Sequence, residues 1–176
     1  MTMDPILLVG GSGIVGRWTA RLLRAAHPDA PLLIGGRDLP KAQKAAAEIG
    51  GAEGVAIDMA AADLGLGERA IGAVAVLFTD ERVAGLRFAQ DREVPYINIS
   101  PGINELAPEV AAYIHRPGAA AVVLGTEWLA GATSIPTLEF AKAFGRVESI
   151  AIGALLDEED AYGPAAAADL ERQTKT

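Results

Sequence analysis

Short runs of apolar residues alternate along this chain with stretches in which apolar residues recur every three or four positions. Ile6 to Val9 is an unbroken apolar run that ends in glycines, which is typical of a central parallel strand buried on both faces. From Gly13 to Ala26 the apolar residues follow helical spacing, and arginines occupy the opposite side. The pattern predicts a β-strand followed by an amphipathic helix at the start of the chain.

The same alternation repeats through most of the sequence. It implies a parallel sheet with right-handed crossovers and with helices on both faces. We therefore predict an α/β fold with a doubly wound parallel sheet, that is, a Rossmann fold. The further predicted strands are Leu32–Ile34, Val55–Ile57, Ala73–Phe78, Tyr96–Ile99 and Ala120–Leu124, and the further predicted helices are Pro40–Ile49, Glu81–Asp91 and Glu105–His115.

The sequence changes character near residue 125. The stretch from Gly125 to Thr137 is rich in Gly, Thr, Ser and Pro. After it, Leu138 to Phe144 predicts a helix and Val147 to Leu156 predicts another strand. We therefore expect a Rossmann domain over residues 1–125, followed over residues 126–176 by a connecting helix and the beginning of a truncated or incomplete second α/β domain. A truncated protein, a fragment and a natural short form all fit this pattern.

Charge and composition narrow the classes of partner. The formal net charge of -8 and the pI of about 4.7 argue against binding to nucleic acid or to an anionic membrane, because both need clustered Lys and Arg. The chain has no cysteine, so it offers no thiolate metal site, and we predict no metal. No apolar run reaches the roughly 18 residues of a membrane span, so we expect a cytoplasmic protein whose partner is a small-molecule substrate.

The first predicted strand runs directly into the loop Gly10-Gly11-Ser12-Gly13-Ile14-Val15-Gly16. The loop satisfies both GxGxxG and GxxGxxG. Glycines at these positions allow a tight turn, close approach of the backbone to a diphosphate, and close packing of helix on strand. The N–H groups at the start of the helix attract the diphosphate, and the Ser12 hydroxyl adds a donor. An ordinary flexible turn is the alternative, but the strand before and the helix after favour a dinucleotide site.

The end of the second strand indicates which dinucleotide binds. NAD-binding proteins usually place an acidic residue there, about 20 residues beyond the loop, to hold the ribose 2′-hydroxyl. This chain has Gly36 and Arg37 instead. Glycine leaves room for a 2′-phosphate, Arg37 can clasp it in a bidentate manner, and Lys41 can assist. We therefore predict NADP(H) as the cofactor. The alternative is that Arg37 is a solvated surface residue and Asp38 only the N-cap of the next helix.

Further candidates follow the later strands. Asp58 comes directly after the third strand, where its carboxylate can accept a hydrogen bond from the adenine amino group or can simply cap a turn. Phe78 and Thr79 end the fourth strand, where the nicotinamide half should lie, and we expect Thr79 to contact the cofactor. Asn98 and Ser100 lie near the end of the fifth strand, where the turn preference of these residue types is a slightly better explanation than a role beside the substrate.

No residue has the sequence context of an acid or base. None of the three tyrosines is followed four positions later by a lysine, so the Tyr-x-x-x-Lys pair of short-chain dehydrogenases is absent from these 176 residues. His27 and His115 lie at predicted helix ends, where surface or helix-dipole roles are the commoner explanation. We assign no catalytic residue from the sequence.

Four segments together resemble the NADP-binding domain of the saccharopine dehydrogenase-like family, over about Ile6 to Phe144. They are ILLVGGSGIVGRWTARLL, LLIGGRDLPKAQKAAAEIG, VPYINIS and the stretch from residue 125 to 137. The chain departs from the family at Asn98, where many relatives have Asp. The resemblance implies NADP(H), an imine or amino-acid-derived substrate, and a second domain that closes over the substrate and forms a homodimer.

We therefore expect an NADP(H)-dependent oxidoreductase of the saccharopine dehydrogenase-like type, or its cofactor-binding half, in which the hydride chemistry belongs to the cofactor. A non-enzymatic NADP(H)-sensing or regulatory module is the first alternative, since no acid/base pair is evident. An atypical short-chain-type reductase or epimerase is the second.

Overall fold

The structure is a computed structural model that describes residues 3–99, 103–124 and 133–153. Strands and helices alternate along the chain as the apolar pattern predicts. The strands are β1 (Ile6–Val9), β2 (Leu32–Gly36), β3 (Ala52–Ala56), β4 (Ala73–Val76), β5 (Tyr96–Asn98) and β6 (Val122–Val123). The helices are α1 (Ile14–Ala26), α2 (Leu39–Ile49), α3 (Ala84–Asp91), α4 (Ile103–His115) and α5 (Ile135–Ala141).

All six strands form one parallel sheet in the order β3-β2-β1-β4-β5-β6. The chain starts in the middle of the sheet, builds outward to β3, and then crosses back to β4 beside β1. This is the strand order of the doubly wound Rossmann fold, so the predicted fold class is confirmed. The reversal of direction between β1 and β4 opens a crevice at the carboxyl ends of these two strands.

Apolar residues from alternate strand positions form two cores, one on each face of the sheet. On one face, Leu8, Ile34 and Ala75 pack with alanines of α1 and α2. The other face carries the larger core, in which Leu7, Val9 and their neighbours pack with α3. The central strands therefore bury both faces, which explains why their sequences are unbroken apolar runs.

Some boundaries differ from the sequence prediction. β3 begins at Ala52, three residues before the predicted start, because Gly54 lets the strand lie directly against α2: a Cβ at Gly54 would come within 2.4 Å of a backbone nitrogen. β4 ends at Val76 rather than at Phe78. The chain leaves the sheet there to form the turn that precedes α3.

The start of α3 is also later than predicted, at Ala84 rather than Glu81. The cause is Asp80, whose carboxylate accepts hydrogen bonds from the backbone N–H of Arg82 at 3.3 Å and of Gly85 at 2.8 Å. These bonds hold residues 80–83 in a turn, because a short polar side chain can replace the backbone acceptors of a first helical turn.

Of two predictions for the C-terminal region, one is displaced and one is wrong. The predicted helix Leu138–Phe144 is present, but it lies three residues earlier as α5, Ile135–Ala141. Of the predicted strand Val147–Leu156, the described residues 147–153 contain no strand, and residues 154–156 lie outside the described part. A strand needs a neighbour for its N–H and C=O groups, and no described segment pairs with residues 147–153. The predicted second domain stays a prediction, as does any role of residues 125–132, which lie outside the described part.

Candidate functional site

The predicted site residues lie at one edge of the sheet. Gly35, Val9, Val76 and Asn98 are neighbours in register on four adjacent strands. The glycine-rich loop therefore leaves β1 at the same level at which β2 ends in its glycines and β4 leads into Phe78. Because these strands are parallel, their carboxyl ends line one crevice, which is where ligands of doubly wound folds bind.

Gly10 makes the turn that follows β1. Its φ of +83° lies in the left-handed region that favours glycine. A Cβ at this position would come within 2.9 Å of Cδ1 of Phe78, so the loop and the end of β4 are in close contact. The predicted reason for a glycine here, a tight turn after the strand, agrees with this geometry.

The other glycines bring the loop close to its own helix. A Cβ at Gly16 would lie 2.4 Å from the carbonyl oxygen of Gly10, and a Cβ at Gly11 would lie 2.7 Å from that of Leu8. Both positions exclude any side chain. The N-cap of α1 is Gly13, which supplies no capping side chain, so the first-turn N–H groups face the crevice without a capping acceptor. Ile14 and Val15, in that turn, are about half exposed.

The two glycines at the end of β2 serve different purposes. A Cβ at Gly35 would lie 2.8 Å from Cγ1 of Ile57, so Gly35 is needed for packing in the sheet. A Cβ at Gly36 would instead meet the Ser12 hydroxyl at 3.1 Å and, further away, Ala42 Cβ at 3.8 Å and the Asp38 carbonyl oxygen at 3.9 Å. The space that Gly36 leaves therefore opens between the glycine-rich loop and α2.

Arg37 follows this space directly, and Lys41 lies one helical turn into α2. Both side chains are exposed, and within the described residues neither forms an ion pair or a side-chain hydrogen bond. Asp38 caps α2, since its carboxylate accepts from the N–H of Lys41 at 3.0 Å, which confirms the predicted N-cap. The Asp38 carboxylate is therefore held at the helix rather than beside the Arg37 guanidinium.

Asp58, Phe78 and Thr79 lie at the same edge. Asp58 is exposed, and its Oδ1 accepts from the N–H of Ala60 at 2.9 Å, so it does cap a turn; its contact with adenine stays a prediction. Phe78 and Thr79 are half-buried at the end of β4. Their contact with the nicotinamide half stays a prediction as well.

The end of β5 carries a buried polar cluster that the sequence did not indicate. The Tyr96 hydroxyl donates to Glu109 Oε1 at 2.7 Å, and the Asn98 amide donates to the same oxygen. All three residues are at most 1% exposed. Asn98 is thus a buried member of a network rather than a turn residue, and Ser100 lies outside the described part.

We did not predict from the sequence that Glu109 belongs to this cluster. It lies three residues before Ala112, which packs against the core, so helical periodicity places Glu109 on the buried side of α4. That periodicity was the available signal, but a glutamate is rarely assigned to a core face. Glu109 Oε2 is buried and accepts no hydrogen bond from the described chain.

Burial raises the pKa of Tyr96 far above its usual value, and the adjacent Glu109 carboxylate raises it further. The negative charge of Asp80 also raises the pKa of Tyr96. Tyr96 is therefore held firmly protonated. This is the opposite of the activated tyrosine that a lysine neighbour produces in short-chain dehydrogenases, so Tyr96 does not replace the missing Tyr-x-x-x-Lys pair.

Among the described residues, no group of three or more His, Asp or Glu side chains is placed to hold a metal ion. None of the described helices is long and apolar enough to cross a lipid bilayer.

Comparison with known proteins gives similarity only at the level of structure. No protein-family model matches the chain, and no curated protein sequence matches it. A citronellol catabolism dehydrogenase (AtuB) of Pseudomonas aeruginosa PAO1 superposes with a TM-score of 0.50 at 20% identity, over 69% of this chain and 72% of that one.

Two other solved structures are similar. A short chain dehydrogenase/reductase family protein gives a TM-score of 0.47 at 21% identity, over 69% of this chain and 72% of that chain. A metagenomic short-chain oxidoreductase, solved in complex with NADP, gives 0.44 at 18%, over 70% and 80% of the respective chains. No family model and no curated relative supports the predicted family. Likeness at such identities shows the fold alone, and that fold is of the Rossmann type.

Proposed function

We propose that this chain is the NADP(H)-binding Rossmann domain of an oxidoreductase. The observation that carries the proposal is the end of β2, where Gly36 leaves a space and Arg37 presents an exposed guanidinium that is unpaired within the described residues. An arginine that is not engaged by a carboxylate is available for a phosphate, and its planar fork matches two phosphate oxygens. The cofactor, when bound, supplies the hydride.

Each part of the cofactor has a proposed place. The N–H groups of the first turn of α1 would hold the diphosphate together with the glycine-rich loop. Arg37, assisted by Lys41, would hold the 2′-phosphate. Asp58 would accept from the adenine amino group, and the end of β4 at Phe78 and Thr79 would contact the nicotinamide half.

The type of oxidoreductase is the finer part of the proposal. Reduction of an imine or an amino-acid-derived compound rests on the sequence resemblance to the saccharopine dehydrogenase-like family. Carbonyl reduction of the short-chain type is the alternative, and the similar fold of a protein described as a dehydrogenase, AtuB, favours it. That chemistry needs a proton donor, and neither the Tyr-x-x-x-Lys pair nor an activated Tyr96 provides one. For the short-chain type, the proton therefore has to come from another residue or from a water molecule beside the substrate.

A non-enzymatic NADP(H)-sensing module is the second candidate, and the absence of an activated acid or base among the described residues favours it. Turnover separates the two. NADPH oxidation over a panel of imines and ketones supports the enzyme, whereas tight NADPH binding without oxidation of any of them supports the module.

The direct test of the cofactor proposal is calorimetric titration with NADPH and, separately, NADH. We expect the wild-type chain to prefer NADPH and Arg37→Ala to lose about 10- to 100-fold in NADPH affinity, because a charge-assisted phosphate contact contributes about 1.5–3 kcal/mol. The affinity for NADH should stay within twofold. Arg87→Ala is the matched control, because Arg87 is exposed on α3 and its side chain has no partner within the described residues.

Equal affinities of the wild-type chain for NADPH and NADH would contradict the assignment of Arg37. An unchanged NADPH affinity in Arg37→Ala would do the same. If Arg87→Ala loses as much affinity as Arg37→Ala, then general positive charge rather than a specific contact accounts for the binding.

A further inference from the structure

Ser12 is the one hydroxyl of the glycine-rich loop, and its position differs from the one that the motif alone suggests. The motif places a loop hydroxyl near the diphosphate at the start of α1. In the structure the Ser12 hydroxyl oxygen instead lies beside Gly36, 3.1 Å from the point that a Cβ of Gly36 would occupy. The hydroxyl of the first βα loop thus reaches across to the end of the neighbouring strand.

Within the described residues, the Ser12 hydroxyl neither forms a hydrogen bond nor caps a helix. Ser12 is half-buried, and its hydroxyl forms no hydrogen bond with any of them. It does not cap α1, whose N-cap is Gly13 and has no side-chain cap. A hydroxyl that is neither capping a helix nor bonded to the backbone keeps its donor available for a ligand.

The space beside this hydroxyl is the one that distinguishes the two cofactors. A side chain at position 36 would point between Ser12 and Ala42, and in NAD-binding proteins an acidic side chain at this strand end holds the ribose 2′-hydroxyl. With glycine at position 36, the substituent on the ribose 2′-oxygen can occupy the space instead. The Ser12 hydroxyl borders this space, and the exposed Arg37 is the next residue along the chain.

We propose that Ser12 is a specificity-determining residue whose hydroxyl donates to the 2′-phosphate of NADP(H), together with the Arg37 guanidinium. This inference rests on the proposed NADP(H) function and changes the role that the loop motif suggests for Ser12. Two donors from different segments of the chain fix the position of the phosphate better than Arg37 alone. The backbone of the loop still serves the diphosphate.

The experiment compares ligand pairs that differ only in the 2′-phosphate. Ser12→Ala and the wild-type chain are titrated with NADPH and NADH, and with adenosine 2′,5′-bisphosphate and 5′-AMP. We expect Ser12→Ala to weaken NADPH and adenosine 2′,5′-bisphosphate by about tenfold, at the lower end of what one lost hydrogen bond to a charged group implies, and to leave NADH and 5′-AMP within about 1.5-fold. Circular dichroism checks that the variant is folded.

A second variant tests the same space from the other side. Gly36→Ala places a methyl group 3.1 Å from the Ser12 hydroxyl oxygen, so it should weaken NADPH more than NADH. Ser149→Ala is the matched control, because Ser149 is an exposed serine in the C-terminal segment.

Equal losses for NADPH and NADH in Ser12→Ala would place the hydroxyl at the diphosphate and overturn the inference. An unchanged affinity for all four ligands would overturn it too. If Arg37→Ala loses NADPH affinity while Ser12→Ala does not, only the role of Ser12 fails. If the wild-type chain binds no NADPH, the proposed function and the role of Ser12 fail together.

Discussion

The two halves of the sheet carry different kinds of polar groups at the carboxyl ends of their strands. At the ends of β1 and β2 the edge consists of glycines and open backbone N–H groups, and the cations Arg37 and Lys41 are exposed and unpaired within the described chain. At the ends of β4 and β5 the polar side chains Asp80, Asn98 and Glu109 are buried and hydrogen-bonded. The first half is arranged to meet a charged ligand, whereas in the second half the polar side chains bond mainly to one another and to the backbone, with Glu109 Oε2 as the exception within the described residues.

This difference has a consequence for substitutions. Exposed cations contribute little to stability, so their removal should leave the stability of the fold nearly unchanged and should affect mainly ligand binding. Buried polar groups cost free energy when they lose a partner, so their removal should change the stability of the fold. Binding and stability should therefore separate between the two halves, and substitutions at three positions test this separation.

The largest effect is expected at Gly16, where the separation should break down. Its Cβ would lie 2.4 Å from the carbonyl oxygen of Gly10, so Gly16→Ala pushes α1 away from the loop. We expect it to destabilise the fold by about 3 kcal/mol and to weaken NADPH binding more than 100-fold, because overpacking moves the backbone that faces the ligand. Urea denaturation and calorimetry measure the two effects.

Gly118→Ala is the control for this variant. Nothing lies within 4 Å of a Cβ at Gly118, so the substitution should leave both stability and binding unchanged. A Gly16→Ala variant as stable as the wild-type chain would show that the loop and α1 are not in close contact.

The next largest effect is expected for substitution of Glu109, which should lower the stability of the fold without changing ligand affinity. Glu109→Ala leaves the Tyr96 hydroxyl and the Asn98 amide without their shared acceptor, which should cost about 2–3 kcal/mol. Glu109→Gln keeps an acceptor oxygen for both donors and should cost about 1 kcal/mol. Urea denaturation measures the stability, and titration with adenosine 2′,5′-bisphosphate should give affinities within twofold of wild type for both variants.

Two results would contradict this expectation. Equal destabilisation by the two Glu109 variants would mean that Oε2 has a partner beyond the described residues. A large loss of adenosine 2′,5′-bisphosphate affinity in Glu109→Gln would mean that the two halves are coupled.

A smaller effect than that of Glu109→Ala is expected at neutral pH for Tyr96→Phe, which removes one hydrogen bond and should cost about 1.5 kcal/mol. At high pH the difference should shrink. The folded chain keeps the Tyr96 proton because its pKa is raised above the ordinary 10.0, whereas the unfolded chain releases it near that value. The unfolded state then binds fewer protons, so the stability contributed by Tyr96 falls as pH rises above about 10, by up to about 1.4 kcal/mol per pH unit.

The measurement is a series of urea denaturations of both proteins between pH 8 and pH 11. Tyr96→Phe should lose stability less steeply than the wild-type chain above pH 10, because it lacks this proton. The other two tyrosines are present in both proteins, so they cancel in the comparison. Parallel declines of the two proteins would show that Tyr96 ionises equally in the folded and unfolded states.

Much of the first half of the sheet was predictable because its signals are local. The run from Ile6 to Val9, the glycines after it and the Asp38 cap each depend on residues within one or two turns of each other. Such local signals do not depend on how the strand and the helix pack against the rest of the chain. The start of α3 was not predicted, because the cap formed by Asp80 competes with the helical pattern that begins at Glu81.

The C-terminal region shows the opposite case. Its apolar residues predict a helix and a strand, yet Leu138, Phe144 and Ile150 are mostly exposed, at 67%, 66% and 58%. An apolar run specifies a strand only when another strand pairs with it, and none of the described segments does so for residues 147–153. Periodicity alone therefore overstated how much structure the region forms within the described chain.

The sequence by itself determined the Rossmann topology, the positions of the loop glycines and the basic residue at the end of β2, because alternation, glycine and charge are properties of neighbouring residues. Only the tertiary structure decided that Gly35 serves packing while Gly36 leaves a space, that the Ser12 hydroxyl faces that space, and that Glu109 joins Tyr96 and Asn98. These relations link residues 11 to 24 positions apart in the chain. Their side chains meet only after the strands are in register and the helices are packed, and no local pattern encodes that contact.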